Sequence, residues 1–262
     1  MYTLGVYLLG TQTLSLPSPD WPTVCYILLV AHTCYLMDRV KFSDSRQDPA
    51  DAIALPDRAI LFSMHSKVIR AVLVAELVIA TAAGFLISPT LILIPLAALI
   101  GVQFYAGRGA KPGSPRFKDL PGLKSFFIST AHLALVIAVL WGNDHRLIEH
   151  PRLPVILDIL GLWLIVSADA ILCDLDDRES DAIYGTLSLP VLLGSNQAWI
   201  LAQLILLAGC IFLALESQYT IPSATLSSAV FLSTLPTRHM KNRRDLVDAR
   251  LLPIVLISVL LT

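Results

Sequence analysis

Nine stretches of predominantly apolar residues set the strongest limit on what this chain can fold into. They run over roughly 1–16, 21–38, 66–88, 90–107, 122–141, 153–173, 197–216, 220–236 and 250–262. A helix that crosses the hydrocarbon core of a bilayer needs about 20 such residues, because its backbone polar groups must be satisfied within the segment. The runs are apolar on all faces and lack a 3.6-residue stripe, the pattern of helices surrounded by lipid or by other helices. The first and last are short and are expected either to span or to lie at the interface. The chain reads as all-α, a single polytopic membrane domain over residues 1–262 with about nine transmembrane helices. Only 15% of its residues are charged, against about 25% in soluble domains, which excludes a soluble globular protein. A net charge of −1 gives no expectation of nucleic-acid binding.

The basic residues test the span count. Of the 19 Lys and Arg residues, 17 fall in the loops after the second, fourth, sixth and eighth runs or in the first residues of the runs that follow them, and only Arg146 and Arg152 fall in the alternate loops. By the positive-inside rule the N-terminus and the Lys/Arg-rich loops are cytoplasmic. Removing one middle span would destroy the alternation. The expected location is integral to a membrane, a bacterial plasma membrane, with lipid as the surrounding partner. The opening MYTLGVYLLG lacks the basic stretch of a signal peptide and is expected to belong to the mature protein. Cys25, Cys34, Cys173 and Cys210 form no CxxC pair and read as small apolar packing residues.

Aspartate is the informative residue. There are 16 aspartates and only four glutamates, so acid is not simply a solubilising coat. Ten of the aspartates lie in two clusters, both on the side expected to be cytoplasmic. The second cluster holds Asp169, Asp174, Asp176, Asp177 and Asp181. Asp174, Asp177 and Asp181 are spaced three and four apart and would share one helix face. Like charges at that spacing repel, so a stable ionised group implies a counter-cation. Mg²⁺ suits hard carboxylate oxygens and substrate phosphates. An EF-hand is excluded, because Arg178 falls where an oxygen ligand belongs. The bland reading of the segment is a solvated loop. The first cluster is Asp38, Asp44, Asp48, Asp51 and Asp57. Asp48-Pro49 has the form of a helix N-cap followed by proline, which leaves Asp51 with a purely structural reading near a helix start. Asp38 closes the apolar run Tyr35-Leu-Met-Asp38 at the membrane boundary, where a carboxylate is a functional candidate. Two acidic clusters and the basic loop after the fourth run suggest one pocket for a metal and a diphosphate.

These residues resemble a known family. Asp174-Leu-Asp-Asp-Arg-Glu-Ser-Asp181, followed by Gly185 and Leu189-Pro-Val-Leu-Leu-Gly194, resembles the second aspartate motif of the UbiA superfamily of intramembrane prenyltransferases. Asp177 and Asp181 take the DxxxD positions. Pro56-Asp57-Arg58 resembles the Pro-Asp-Arg that follows the family's first motif, and Tyr105 with Pro121-Gly122-Leu123 resembles its central loop. The family's nine-helix, cytoplasm-facing bundle agrees with the span count. The first motif, NxxxDxxxD in the family, is altered: Cys34 stands in the asparagine place, Asp38 follows, and Phe42 falls in the last position. The lost role is carried over to Asp51, five residues before Pro56, with Asp44 behind it. A basic residue often found just after the second motif is Thr186 here.

The resemblance implies Mg²⁺-dependent transfer of an isoprenyl group from an isoprenyl diphosphate to a lipophilic, often aromatic, acceptor within the membrane. Asp38, Asp177 and Asp181 would be catalytic, and Asp38, Asp51, Asp174, Asp177 and Asp181 would hold the metal. Arg116, Lys118 and Lys124 would bind the diphosphate, and Tyr105 would stabilise the allylic cation through its ring. The structural reading of these four is positive-inside charge and an interfacial aromatic. Two other classes fit the same scaffold: an intramembrane terpene cyclase, since Asp174-Leu-Asp-Asp177 also matches a DxDD tetrad, and a non-catalytic lipid-binding or assembly protein. His32, His65 and His132 lack ligand spacing and read as structural. Glu76 could pair across helices, and Asp169 could line the pocket. The Arg238–Arg244 run reads as an orientation signal facing anionic lipid.

Overall fold

The computed structural model describes residues 2–14, 16, 20–40, 56–106, 116–143 and 153–215, with single positions at 222, 225, 226, 228, 247, 250, 251, 253 and 254. Among the described residues there are helices and turns and no strand. Helix α1 is Tyr2–Thr13, α2 is Trp21–Val40, α3 is Pro56–Met64 and α4 is Ser66–Ile87. A 3₁₀ turn, Pro89–Leu93, leads into α5, Ile94–Ala106. Then come α6 at Leu123–Asn143, α7 at Leu153–Tyr184, α8 at Leu189–Leu193 and α9 at Ser195–Leu215.

Six helical segments among the described residues are long and apolar enough to cross a membrane: Trp21–Val40, Ser66–Ile87, Pro89–Ala106, Leu123–Gly142, Leu153–Tyr184 and Ser195–Leu215. They coincide with the second to seventh apolar runs, as an all-α integral membrane protein requires. The first run forms only the 12-residue α1, and the eighth and ninth runs lie largely outside the described residues.

Local chemistry explains the breaks between helices. Asp20 caps α2: its Oδ1 accepts the Thr23 backbone N–H at 3.0 Å, while Pro22 occupies a first-turn position that has no intrahelical donor to lose. Ser88 is extended, as a residue before proline prefers, and ends α4 ahead of Pro89. Helix α7 continues past its expected end at residue 173 to Tyr184. At 32 residues it is about 48 Å long, well beyond the ~30 Å hydrocarbon core. It stops at Gly185, whose φ of +77° suits glycine, and the Thr186 N–H then returns 2.9 Å to the Asp181 carbonyl.

The core lies between α1, α2, α6, α7 and α9, where Leu9, Tyr26, Ile27, Val30, Val136, Val139 and Ile165 are fully buried. The Tyr26 hydroxyl donates to the Leu91 carbonyl at 2.8 Å and so ties α2 to the turn before α5. Outward residues such as Phe85, Leu86, Leu93 and Phe104 are apolar and exposed. In water such a surface would aggregate, whereas in a bilayer lipid is its solvent.

Candidate functional site

The C-terminal ends of α2, α5 and α7 and the first turn of α6 come together at one end of the bundle. Helix α7 brings Asp174, Asp177 and Asp181 onto a single face across its last three turns, while Asp176, Arg178 and Glu179 point outward and are exposed. The DxDD tetrad is therefore split, with its middle acid on the opposite side of the helix from Asp174 and Asp177.

Lys124 fills the space between the inward acids. Its Nζ lies 3.0 Å from Asp174 Oδ1, 3.2 Å from Asp177 Oδ2 and 2.8 Å from Asp181 Oδ2. The Ser125 hydroxyl donates to Asp174 Oδ2 at 2.6 Å. Asp174, Asp181 and Lys124 are buried, and Asp177 is the partly open member. Three carboxylates against one ammonium leave two negative charges in excess. Sequence reasoning asked for a counter-cation at these acids; the cation in the structure is a side chain from α6, fifty residues earlier than Asp174.

Tyr105, in the last turn of α5, stacks on Phe127 with ring centroids 5.0 Å apart and planes 9° from parallel. Its hydroxyl feels the charges of Lys124, Asp174, Asp38 and Asp181, which places Asp38 of α2 in the same electrostatic neighbourhood. Arg39 Nε lies 3.9 Å from Asp38 Oδ2, and its guanidinium sits 5.6 Å from the centroid of the Tyr35 ring. Cys34 is one turn earlier on α2. Asp44, Asp48 and Asp51 lie outside the described residues. Asp57 is exposed in the first turn of α3, behind Pro56 at the helix start.

Arg116 is buried and committed. Its backbone N–H donates to Asp119 Oδ2 at 2.8 Å, its Nε to the same oxygen at 2.9 Å and its Nη2 to Asp119 Oδ1 at 2.9 Å. Nη2 also donates to Thr186 Oγ1 at 3.2 Å, and that hydroxyl donates to Asp119 Oδ1 at 2.8 Å. Burial works against the Asp119 charge, but the bonds from Arg116 and Thr186 outweigh it and hold the carboxyl below its ordinary range. The Gly122 N–H donates to the Leu187 carbonyl at 2.8 Å, a second tie between the central loop and the turn after α7. Lys118 is half-buried on the short 3₁₀ turn Phe117–Asp119. Sequence reasoning missed Ser125, Asp119 and the position of Thr186 against Arg116; nothing in the local sequence around residue 186 points to residue 116.

Asp169 lies further back on α7, with partners from α1 and position 250. The Tyr2 hydroxyl donates to its Oδ2 at 3.0 Å, and Arg250 Nη2 donates to its Oδ1. The Tyr2 ring meets His132 edge-on, with centroids 5.5 Å apart. Glu76 does pair across helices: its carboxylate lies 2.8 Å from Nδ1 of His32 on α2.

The acids at Lys124 fit Mg²⁺ in kind and in charge, with hard oxygens turned to one point and two negative charges in excess. Their spacing is that of an ammonium group: 2.8–3.2 Å from Nζ, against about 2.0–2.1 Å for oxygens around magnesium. Among the described residues no group of three or more His, Cys, Asp or Glu is drawn together closely enough to hold a metal ion. The chain matches no family model, no curated protein and no solved structure.

Proposed function

We propose that this protein is a divergent member of the UbiA superfamily and transfers an isoprenyl group from an isoprenyl diphosphate to a lipophilic or aromatic acceptor. The reading includes nine transmembrane helices in all and a bacterial plasma-membrane location, with the acids facing the cytoplasm. One observation carries it. Asp174, Asp177 and Asp181 turn their oxygens to a single point, the Lys124 ammonium, near Tyr105 at one end of the bundle. A polar place for a diphosphate beside apolar helices is what a prenyl diphosphate, charged at one end and apolar along its tail, requires.

In this reading Asp174, Asp177 and Asp181, with Asp38 and Asp51 from the other side, would hold Mg²⁺. The ion supplies positive charge to the diphosphate oxygens. The chain does the rest. Arg116 and Asp119 bond to Thr186 and so hold residues 116–119 against the turn after α7, next to the acids. The prenyl C–O bond breaks, and its electron pair leaves with the diphosphate. Tyr105, one face of whose ring is covered by Phe127, would stabilise the allylic cation through the other. An acceptor carbon or oxygen bonds to C1 of the prenyl chain and gives its proton to the released diphosphate. The resemblance places a basic residue at position 186, and the Arg116 guanidinium sits against that position from another element.

The test is diphosphate release by the purified protein in lipid. Geranyl, farnesyl and geranylgeranyl diphosphate would be supplied with aromatic acceptors, with and without Mg²⁺. The reading expects Mg²⁺-dependent release that is lost in Asp177→Ala/Asp181→Ala. A folded protein that releases none would favour the second reading, a non-catalytic prenyl-lipid carrier, which draws support from a lysine already neutralising the acids. Release without a prenylated acceptor would point to cyclisation.

A further inference from the structure

The Lys124 ammonium has three N–H donors, and three carboxylate oxygens lie within 3.2 Å of it. Its side chain is 8% exposed, and those of Asp174 and Asp181 are 2% and 7% exposed, so water does not stand in for these partners. In this arrangement Lys124 offers nothing to a phosphate. Arg116 cannot substitute for it, because Asp119 and Thr186 hold the guanidinium. The charges at the site still sum to two negatives, which repel a diphosphate until positive charge is added. A divalent cation would add it, but it needs the oxygens that Lys124 already holds, and at contact distance the two cations repel.

We propose that Lys124 is a tethered counter-ion, displaced from Asp174, Asp177 and Asp181 when a divalent cation binds, and that the freed ammonium then turns to the diphosphate. Only the last step rests on the prenyl-diphosphate reading; the exchange itself concerns cation binding. A lysine suits the role, being a compact charge on a flexible four-carbon stem. While it is in place it relieves the repulsion among three acids on one helix face and keeps the last turns of α7 helical. The exchange also fixes an order, with the divalent cation bound before the diphosphate.

The test is direct binding of Mn²⁺, followed by electron paramagnetic resonance on the full chain in neutral-lipid nanodiscs. Wild type, Lys124→Met and Lys124→Arg would be compared. Removing a competitor from the site should tighten Mn²⁺ binding in Lys124→Met, by about tenfold for a competitor that occupies it nine-tenths of the time. Lys124→Arg, which keeps the charge, should bind no more tightly than wild type. In wild type, Mn²⁺ should also raise the rate at which a membrane-permeant acylating reagent modifies Lys124, read by peptide mass spectrometry. That second measurement decides the matter if Lys124→Met does not fold. Equal or weaker Mn²⁺ binding in the Met variant, saturation of wild type with unchanged Lys124 reactivity, or no Mn²⁺ binding at all would overturn the exchange. Diphosphate release is scored separately. Mg²⁺-dependent release without exchange would remove only this proposal, and exchange without release would remove only the prenyl-transfer reading.

Discussion

Gly161 of α7 and Gly209 of α9 meet backbone to backbone. A Cβ built on Gly209 would lie 2.9 Å from the Gly161 carbonyl oxygen, and one built on Gly161 would lie 3.1 Å from the Gly209 oxygen. Small residues that let backbones approach are how helices associate where lipid removes the hydrophobic drive. A backbone oxygen cannot swing aside as a side chain can, so Gly209→Ala should force the helices apart. The expected cost is about 1–3 kcal/mol of overpacking, against about 1 kcal/mol or less gained in helix propensity. Gly101→Ala is the control, since nothing lies within 4 Å of its added Cβ. Thermal unfolding in detergent should rank Gly101→Ala at or above wild type and Gly209→Ala below it. The reverse order would show that this contact does not set the packing.

Asp169 stabilises the bundle from inside. It is buried and accepts from Tyr2 and Arg250, so it links α1 and position 250 to the middle of α7. Asp169→Ala leaves a buried guanidinium unpaired and should cost about 3–5 kcal/mol. Asp169→Leu with Arg250→Met replaces the pair by apolar groups and should recover most of the loss. A double variant no more stable than the single one would mean that Arg250 is not the partner that matters.

How far the sequence reaches can be judged residue by residue. Six apolar runs are helices, five of them with both ends within a few residues of expectation and the sixth, α7, at its start alone, because hydropathy over 20 residues is a local property. The end of α7 was missed. Its acids looked like the start of a polar loop, although Asp174, Asp177 and Asp181 already had the spacing of one helix face. What keeps them helical, Lys124 and the turn at Gly185, involves a partner on another helix. The need for a cation among these acids was readable; that a lysine fills the need was not, since pairing across fifty residues leaves no mark in a single sequence. The same holds for Arg116. The resemblance gives it a diphosphate-binding role, and the structure shows its contacts to Asp119 and Thr186, the second of them seventy residues away. Asp169 was expected to line the pocket, and the structure gives it Tyr2 and Arg250 as partners.

Asp119 makes the stapled loop sensitive to acid. Its carboxyl is held below the ordinary range by Arg116 and Thr186 in spite of partial burial. A carboxyl lowered on folding contributes stability that is complete above the unfolded value of about 3.9 and is lost as pH falls through the lower folded value. Limited proteolysis at residues 116–120 should therefore be slow at neutral pH and should accelerate only below about pH 4. Asp119→Asn should be cleaved faster than wild type at neutral pH, and the two should converge in acid. A difference that persisted undiminished at low pH would assign the staple to something other than the Asp119 charge.

Tyr105 separates two ways in which an aromatic residue can serve the proposed reaction. Its ring lies flat on Phe127, and its hydroxyl lies among the charges of Lys124, Asp174, Asp38 and Asp181. If the open face of the ring shields an allylic cation, Tyr105→Phe should retain most of the diphosphate-release rate. Tyr105→Leu should then lose a cation–π contact worth about 0.5–2 kcal/mol, or roughly 2–30-fold in rate. If the hydroxyl donates to the diphosphate instead, both variants should fall together, with the loss appearing in KM. Measuring kcat and KM for both variants with one prenyl diphosphate decides between ring and hydroxyl. A wild-type rate in Tyr105→Leu would remove Tyr105 from the reaction and leave it the packing role that its contact with Phe127 already describes.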